Sequence, residues 1–300
     1  MACLIIGPGP VSEGLLLETD LGNPLQGLAG FVTLFKSNSP IVQFFIGFSS
    51  AKHNTQKYLQ AIHKSYHKYL QDHSPAPLTV HCHNWKSGIG KVIISDIIKL
   101  TQPVQIFEFY DKSPQIESVL AESCSFLEGS YHKPKSKFNS IKITEEKSND
   151  FKADRSRKIM KYFGIVYPEG LCGIKPKVCF VVDVEIRLNG ELIDEGLYRV
   201  MVGKVVGLCE KESDECVGLG LIRDFNQENG MVYLVTPVEE LDRVDCLEIY
   251  TGEGSISLQR NDIFSENLAK ESELDIPYVL SSVILSEKAN KYHPSRSLGK

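Results

Sequence analysis

Short apolar runs alternate with amphipathic stretches over the first 110 residues. Six runs of β-branched, aliphatic and aromatic residues predict strands: Cys3–Ile6, Leu15–Leu17, Phe31–Phe35, Val42–Phe48, Leu78–Cys82 and Val104–Phe109. Apolar residues at helical spacing predict helices over Asn54–Leu70 and Lys91–Leu100. This order predicts an α/β domain, a P-loop-NTPase-like parallel sheet with flanking helices.

Beyond Pro168 the pattern changes to alternation with a period of two, which is typical of strands. Turn signals at Asn189–Gly190 and Asn229–Gly230 separate some of the runs. We predict a mostly antiparallel, β-rich C-terminal domain with strands over Val178–Arg187, Tyr198–Leu208, Val217–Asp224, Met231–Thr236 and Val244–Tyr250.

Between these halves lies a segment rich in lysine and arginine, residues 131–167, with a predicted helix over Ala153–Phe163. It is either a flexible charged linker or a mobile basic lid over phosphates or nucleic acid. The pattern divides the chain into residues 1–130, the basic lid 131–167, a β-rich domain 168–287 and a basic tail 288–300.

Charge and cysteine usage narrow the functional classes. The formal net charge is -5, so any nucleic-acid site must be a local basic patch. The eight cysteines form no C-x-x-C pair and no cluster with zinc-ligand spacing. We expect reduced thiols in an intracellular, soluble protein, because the sequence shows neither a signal peptide nor a membrane-spanning run.

The stretch from Leu15 to Pro24 is the first candidate site. Its apolar run ends in Glu18 and Asp20 and is followed by a turn. A buried parallel strand delivers such a carboxylate to the carboxyl edge of the sheet, where Asp20 would hold Mg²⁺ or orient a water bound to it. An ordinary solvated acidic turn is the alternative. We expect the loop after Cys82, with Trp85, at the same edge.

A glycine-rich segment, residues 7–14, stands where a phosphate-binding loop belongs, and Gly7, Gly9 and Ser12 are its candidate nucleotide ligands. A working P-loop needs a lysine and a hydroxyl residue at its end, and a helix behind it. Here Glu13 and Gly14 follow Ser12, and the next predicted strand begins at once. The segment as written is not a working P-loop.

The segment His81–Pro103, HCHNWKSGIGKVIISDIIKLTQP, resembles the polynucleotide 5′-hydroxyl kinases, specifically the nucleolar branch that works on pre-ribosomal RNA. The matching residues are Trp85, Gly90, Ile97–Ile98 and Pro103. Upstream, Asp20 and Gly22 match a D-x-G-Q motif, with Asn23 in place of Gln. Downstream, residues 206–209, 216–226, 233–238 and 277–279 are similar to the C-terminal domain of that branch.

The resemblance implies a mechanism and a set of site residues. ATP would sit on the P-loop, and Asp20 would help hold Mg²⁺ and activate the RNA 5′-hydroxyl. Arg155 and Arg157 would stabilise the transferring phosphoryl group from the lid. The RNA end would be held by Asn23, Cys82, Asn84 and Trp85. The resemblance also implies pre-rRNA as substrate, a processing endonuclease as partner, a nucleolar location and no membrane association.

The chain departs from the family at several positions. The Walker-A residues and their helix are missing, the acid after D-x-G-Q is Leu25, and the Thr and Gly of the RNA clasp are Cys82 and Asn84. The chain is either a noncatalytic paralogue that assembles a processing complex or an incomplete sequence of an active kinase. A general P-loop nucleotide-binding protein is the third possibility.

Overall fold

The computed structural model describes residues 2–6, 14–110, 114–115, 137–142, 151–164, 177–180, 184–226 and 231–258. Gly7, Gly9 and Ser12 lie outside these ranges, as do Asn229–Gly230 and the basic tail 288–300. Among the described helices, none is both long and apolar enough to cross a membrane.

The N-terminal sheet has seven strands in the order β4-β3-β2-β5-β1-β6-β7. Five neighbouring strands, from β2 to β7, run parallel, whereas β3 and β4 extend the sheet as antiparallel strands. The predicted α/β class is confirmed. The strands are β1 Ala2–Ile6, β2 Leu15–Glu18, β3 Phe31–Lys36, β4 Ser39–Phe45, β5 Leu78–Cys82, β6 Gln105–Tyr110 and β7 Lys137–Lys142.

Two helices pack on one face of this sheet, α1 (Thr55–Asp72) and α2 (Ile89–Thr101). The side chain of Asn54 caps α1 by accepting a hydrogen bond from the backbone N–H of Lys57. Helix α2 ends at Gln102, whose left-handed backbone (φ 42°) lets its N–H bond the carbonyl of Ile98. The apolar stripes of both helices form one core with the strands, as predicted from their spacing.

The seventh strand, β7, was not predicted. Its sequence, KFNSIK, is polar and mostly exposed at the sheet edge, so it lacks the apolar run of the inner strands. It lies in the segment that we expected to form part of the basic lid, where the structure adds it to the sheet beside β6. The predicted lid helix is confirmed as α3, Phe151–Tyr162.

The C-terminal sheet is also seven-stranded, in the order β10-β9-β14-β11-β12-β13-β8. All neighbours are antiparallel except β9 and β14, so the predicted mostly antiparallel domain is confirmed. The strands are β8 Lys177–Phe180, β9 Glu185–Leu188, β10 Glu191–Leu192, β11 Val205–Cys209, β12 Cys216–Asn226, β13 Met231–Val235 and β14 Cys246–Ile249.

Two strand predictions in this domain were wrong in part. The run Val178–Arg187 forms two strands, β8 and β9, at different places in the sheet. The run Tyr198–Leu208 begins in a 3₁₀ helix, Glu195–Met201, before β11. The Asn189–Gly190 turn is confirmed, because both residues have positive φ (52° and 89°) and join the antiparallel pair β9–β10.

The two sheets pack through a shared apolar cluster that also includes α3. Glycines allow this close contact: a Cβ on Gly47 would lie 2.0 Å from the Tyr250 ring, and one on Gly207 would lie 2.3 Å from Phe45. A buried ion pair between Lys57 of α1 and Glu248 of β14 bridges the same interface. Burial lowers the pKa of Lys57, but Glu248 and Tyr250 together outweigh this effect, so the pKa is raised.

Candidate functional site

The carboxylate of Glu18 organises the chain at the end of β2. Its Oε1 accepts the backbone N–H of Asp20 at 2.9 Å, and its Oε2 accepts that of Leu25 at 2.8 Å. Oε1 also lies 2.6 Å from Nδ1 of His81 on the neighbouring strand β5. One buried side chain therefore closes the loop 18–25 and ties it to β5. Sequence reasoning noted this acid but assigned it no role.

Asp20 sits at the tip of that loop and is half-buried. Its Oδ1 accepts the N–H groups of Gly22 (2.9 Å) and Asn23 (3.0 Å), which makes a turn that fixes the carboxylate. Gly22 is required here because a Cβ would lie 2.7 Å from the carbonyl of Ser49. This turn fixes the position of the Asp20 side chain, and Asn23 contributes only its backbone N–H group to the turn.

A cavity of about 170 Å³ opens beside Asp20 at the carboxyl edge of the parallel sheet. We call it the cleft. Its lining combines the ends of β2 and β5 with the segment that leads into α1; the polar and aromatic residues are Thr19, Asp20, Ser49, Ser50, Tyr58, His83, Asn84 and Trp85. The structure thus confirms the expectation that Asp20 and Trp85 lie at the same edge of the sheet.

Hydrogen bonds fix the floor of the cleft. The N–H and hydroxyl of Thr19 both donate to the carbonyl of His81, at 2.9 and 2.7 Å, and extend the β2–β5 pairing. Tyr58 is completely buried, and its hydroxyl donates to the carbonyl of Thr19 at 2.9 Å. Burial raises the pKa of Tyr58 well above its usual range, so it acts as a neutral donor.

Trp85 lines the cleft together with Asp20. Its backbone N–H donates to Nδ1 of His83 at 3.2 Å, and the two rings lie 6.2 Å apart. Gly90, in the first turn of α2, leaves room for this side chain, since a Cβ there would lie 2.4 Å from it. Burial lowers the pKa of His83, although the nearby Asp20 raises it. Neutral His83 therefore carries its proton on Nε2, which bonds no described residue.

The structure does not bring every predicted RNA-binding residue into the cleft. Asn84 is exposed at its mouth, but Cys82 is completely buried in the core beneath it. Burial raises the pKa of the Cys82 thiol, so it stays protonated and unreactive. Five of the described cysteines are free thiols: Cys3, Cys82, Cys209, Cys216 and Cys246.

The two lid arginines have different surroundings. Arg155 of α3 donates through Nη1 to the carbonyl of Gly22 at 3.2 Å, beside the Asp20 turn. One helical turn further on, Lys158 donates to the carbonyl of Pro24 at 2.8 Å. Arg157 is exposed and pairs with Asp154 of its own helix at 2.9 Å. Helix α3 is therefore fastened to the Asp20 loop through Arg155 and Lys158.

A second buried ion pair was missed by sequence reasoning. Lys86, the residue after Trp85, lies 2.5 Å from Glu108 near the end of β6, and their side chains are 8% and 1% exposed. Glu108 also accepts the backbone N–H of Gln115 at 2.8 Å. This pair anchors the loop that carries Trp85. No local signal in the sequence joins Lys86, in a loop, to Glu108, in a strand 22 residues away.

Mg²⁺ takes oxygen ligands, usually one or two carboxylates together with waters and substrate phosphates. Asp20 fits this role as a single ligand, because its turn uses Oδ1 and leaves Oδ2 as the oxygen that could reach a metal. Within the described ranges there is no cluster of three His, Cys, Asp or Glu residues suited to a metal ion. Any magnesium here would depend on phosphates for its other ligands.

The glycine-rich segment 7–14 was expected to bind the ATP phosphates, and it fits that role less well than Asp20 fits a role in Mg²⁺ binding. Gly14 is exposed, and β2 begins at the next residue, Leu15, so no helix stands between the glycine-rich segment and this strand. A P-loop binds phosphates largely through backbone N–H groups at the start of such a helix.

Comparison with known families decides the relationship. Residues 22–164 match the family model described as mRNA cleavage and polyadenylation factor CLP1 P-loop, and residues 174–254 match that of the NOL9-like C-terminal domain. These two matches make the chain similar to the CLP1 and NOL9 families over most of its length. The two matches follow one another along the chain; the first begins after β2, and the second contains β8 to β14.

Relatives named polynucleotide 5′-hydroxyl-kinase NOL9 support this assignment. The Arabidopsis thaliana protein is 21% identical over 282 residues, which cover 77% of this chain and 75% of the relative. The Homo sapiens protein is 21% identical over 77% of this chain, and the Danio rerio protein 22% over 97%. The chain spans less than half of these two vertebrate relatives, 44% and 45% of their lengths.

The fold agrees with that of solved Clp1p structures. The structure of the wild-type Clp1p–Pcf11p complex superimposes with a TM-score of 0.59 and 10% identity, covering 86% of this chain and 75% of the other. A second structure of the Pcf11p–Clp1p interface gives a TM-score of 0.58 and 11% identity. At this identity the likeness establishes the shared fold alone.

Proposed function

We propose that this protein binds 5′-hydroxyl ends of RNA in the cleft between Asp20 and Trp85. The observation that carries the proposal is that a fixed carboxylate and an accessible aromatic ring face one cavity at the carboxyl edge of a parallel sheet. An aromatic ring offers a stacking surface for a terminal base, and a carboxylate accepts a hydrogen bond from a hydroxyl. The NOL9 relatives are named for action on polynucleotide 5′-hydroxyls.

The negative charge of Asp20 makes the cleft prefer an RNA end with a 5′-hydroxyl over one with a 5′-phosphate. A 5′-hydroxyl can donate a hydrogen bond to the carboxylate, whereas a 5′-phosphate would bring two like charges together. Arg155 lies on the far side of the same loop and is held by the carbonyl of Gly22. Arg155 would bind the phosphate backbone of the RNA rather than its terminal 5′-hydroxyl.

Phosphoryl transfer is the reaction of the kinase family, with ATP as donor and Mg²⁺ on Asp20. A second candidate is a noncatalytic scaffold that keeps RNA binding and has lost transfer. The direct connection of Gly14 to β2, without the Walker-A helix, favours this second candidate for the chain as written. In either case we propose a role in pre-rRNA processing in the nucleolus, beside a processing endonuclease.

Trp85 is the only tryptophan and lies in the cleft, so its fluorescence reports on this site alone. Titration with a 5′-hydroxyl RNA oligonucleotide is expected to quench it, and the matched 5′-phosphorylated oligonucleotide to bind more weakly. Asp20→Asn keeps an oxygen for the turn but removes the charge, so the preference between the two ends should shrink. Equal binding of both ends by the wild-type protein would contradict the proposal.

The same titration separates the two candidates when ATP is added. Saturable ATP binding would favour the kinase, because it requires a working phosphate site. RNA binding without ATP binding would favour the scaffold. ATP binding without RNA binding would contradict both and return the chain to the general class of P-loop nucleotide-binding proteins.

A further inference from the structure

A second and larger cavity, of about 360 Å³, lies between α3 and the segment that follows β14. One side is a single face of α3, formed by Lys152, Arg155, Ser156 and Ile159, which are spaced at i, i+3, i+4 and i+7. The other side is the loop 252–257 of the C-terminal domain. We call it the interdomain cavity. Neither domain forms it alone.

The lining of the interdomain cavity is cationic. Lys152 and Arg155 are its two charged residues, and four serines line it as well: Ser49, Ser156, Ser255 and Ser257. No acidic side chain is among the lining residues that the structure describes. The nearest acid in the loop sequence, Glu253, instead pairs with Lys52 at 3.3 Å. The two cations and the hydroxyls of Ser156 and Ser257 suit a phosphate group.

The loop that completes this cavity is held in place by the protein itself. The hydroxyl of Ser255 donates to the carbonyl of Gly252 at 2.9 Å, and that of Ser49 donates to the carbonyl of Gly254 at 3.1 Å. The backbone N–H of Ser49 donates to the same carbonyl at 2.8 Å. These bonds fix the shape of the cavity, so the affinity for an anion would come from Lys152 and Arg155.

The interdomain cavity is next to the cleft. Ser49 lines both, and Arg155 reaches from the interdomain cavity to the carbonyl of Gly22 beside Asp20. A chain of phosphates that begins in the cleft would therefore pass from one cavity to the other. Polynucleotides are such chains, and their backbone binds proteins mainly through lysine and arginine.

We infer that the interdomain cavity binds phosphodiester groups of the RNA strand downstream of its 5′ end, with Lys152 and the loop 252–257 as its specific elements. This inference rests on the proposed RNA binding in the cleft. It gives the C-terminal domain a direct part in RNA recognition. It also makes affinity depend on the length of the strand, because a short RNA fills the cleft and leaves the interdomain cavity empty.

The test compares a 5′-hydroxyl dinucleotide with an octanucleotide, using Trp85 quenching and the anisotropy of a 3′-labelled RNA. Lys152→Ala is the variant, and Lys161→Ala is its control, because Lys161 is exposed on the same helix about 180° away. We expect Lys152→Ala to weaken octanucleotide binding several-fold and to leave the dinucleotide unchanged. The slope of log affinity against log salt should fall by about 0.7, the value for one phosphate of a single strand.

Three results would overturn the inference: wild-type affinity that does not rise with length, equal effects of Lys152→Ala and Lys161→Ala, or an unchanged salt slope. Titration with inorganic phosphate distinguishes a free anion from an RNA backbone. Phosphate that binds through Lys152 without displacing the octanucleotide would assign the cavity to a free anion and overturn the RNA assignment. A dinucleotide that fails to quench Trp85 contradicts the proposed function, whereas the anisotropy series judges the interdomain cavity separately.

Discussion

Nδ1 of His81 lies 2.6 Å from Oε1 of Glu18, and their side chains are 1% and 2% exposed. The two residues are direct partners in the parallel pairing of β2 with β5. The same carboxylate also holds the backbone of Asp20 and Leu25. Because β2 carries Asp20 and β5 leads to Trp85, this contact sets the position of the two walls of the cleft.

Glu18→Ala should therefore loosen the whole loop. The backbone N–H groups of Asp20 and Leu25 and the His81 ring would lose their acceptor inside the protein. Each unsatisfied buried group costs about 1–3 kcal/mol, so we expect the free energy of unfolding to fall by about 3 kcal/mol. Urea unfolding followed by Trp85 fluorescence measures this. A change below about 0.5 kcal/mol, the usual effect of a surface substitution, would show that the contact does not stabilise the fold.

Glu18 also gives stability a dependence on pH. Burial raises its pKa, and the contacts with His81 and Asp20 lower it only in part. A raised pKa means that the folded protein keeps a proton that the unfolded chain releases near pH 4.5. The stabilisation that comes from this bound proton is therefore fully present below about pH 4.5. It is lost as the pH rises through the pKa of Glu18 in the folded protein. The glutamine in Glu18→Gln cannot titrate. The free energy of unfolding of this variant should therefore fall less than that of the wild type as the pH rises over this range.

Gly90→Ala should disturb the cleft without touching its polar groups. The added Cβ would lie 2.4 Å from both the ring and the carbonyl of Trp85, so the indole must move. We expect a shifted Trp85 emission maximum and weaker binding of 5′-hydroxyl RNA. Gly196→Ala is the matched control, because a methyl there meets no atom within 4 Å. An unchanged emission maximum and affinity in Gly90→Ala would show that Gly90 does not set the position of the indole.

The strands that the sequence predicts well are those with strong local signals. The inner strands of the first sheet are continuous apolar runs, as expected for strands buried on both faces; β5 has all five residues buried. The edge strand β7 has no such run and was missed. The apolar residues from Tyr198 to Met201 look like a strand, yet they form part of a 3₁₀ helix in the folded domain. Local propensity cannot decide such a case.

Only the part of the site that follows from strand topology could be predicted from the sequence. Parallel strands place their carboxyl ends at one edge, which was enough to bring Asp20 and Trp85 together. The contact between Arg155 and Gly22 spans 133 residues and depends on how α3 docks. The pairs Glu18–His81 and Lys86–Glu108 depend on strand register and on loop conformation. No spacing in the sequence encodes these contacts.

The basic lid is expected to contribute to RNA affinity, so Arg155→Ala combined with Arg157→Ala should weaken RNA binding and flatten its salt dependence. The structure separates the two residues, because Arg155 contacts the Asp20 loop and Arg157 pairs with Asp154. We expect the single substitution Arg155→Ala to produce most of the loss. Binding titrations at several salt concentrations measure both quantities; an unchanged slope in the double variant would remove the lid from RNA binding.

Phosphoryl transfer requires groups in the site that RNA binding alone does not require. The transition state gathers negative charge, which a P-loop neutralises with a lysine and with backbone N–H groups at a helix start. In this sequence Glu13 has the opposite charge and Gly14 has no hydroxyl for Mg²⁺. Asp20 alone can attract a metal, but a metal without held phosphates has nothing to position.

We therefore expect the 300-residue chain to bind ATP poorly and to phosphorylate a 5′-hydroxyl RNA at the background rate. Glu13→Lys combined with Gly14→Thr should not restore transfer, because β2 begins at Leu15 and leaves no helix start behind the new lysine. Only a chain that also carries the Walker-A helix should gain activity. The measurement is label transfer from γ-labelled ATP to a 5′-hydroxyl oligonucleotide. Transfer by the unmodified chain that Asp20→Ala abolishes would prove this expectation wrong, and would show that the phosphates are held by residues other than a Walker-A loop.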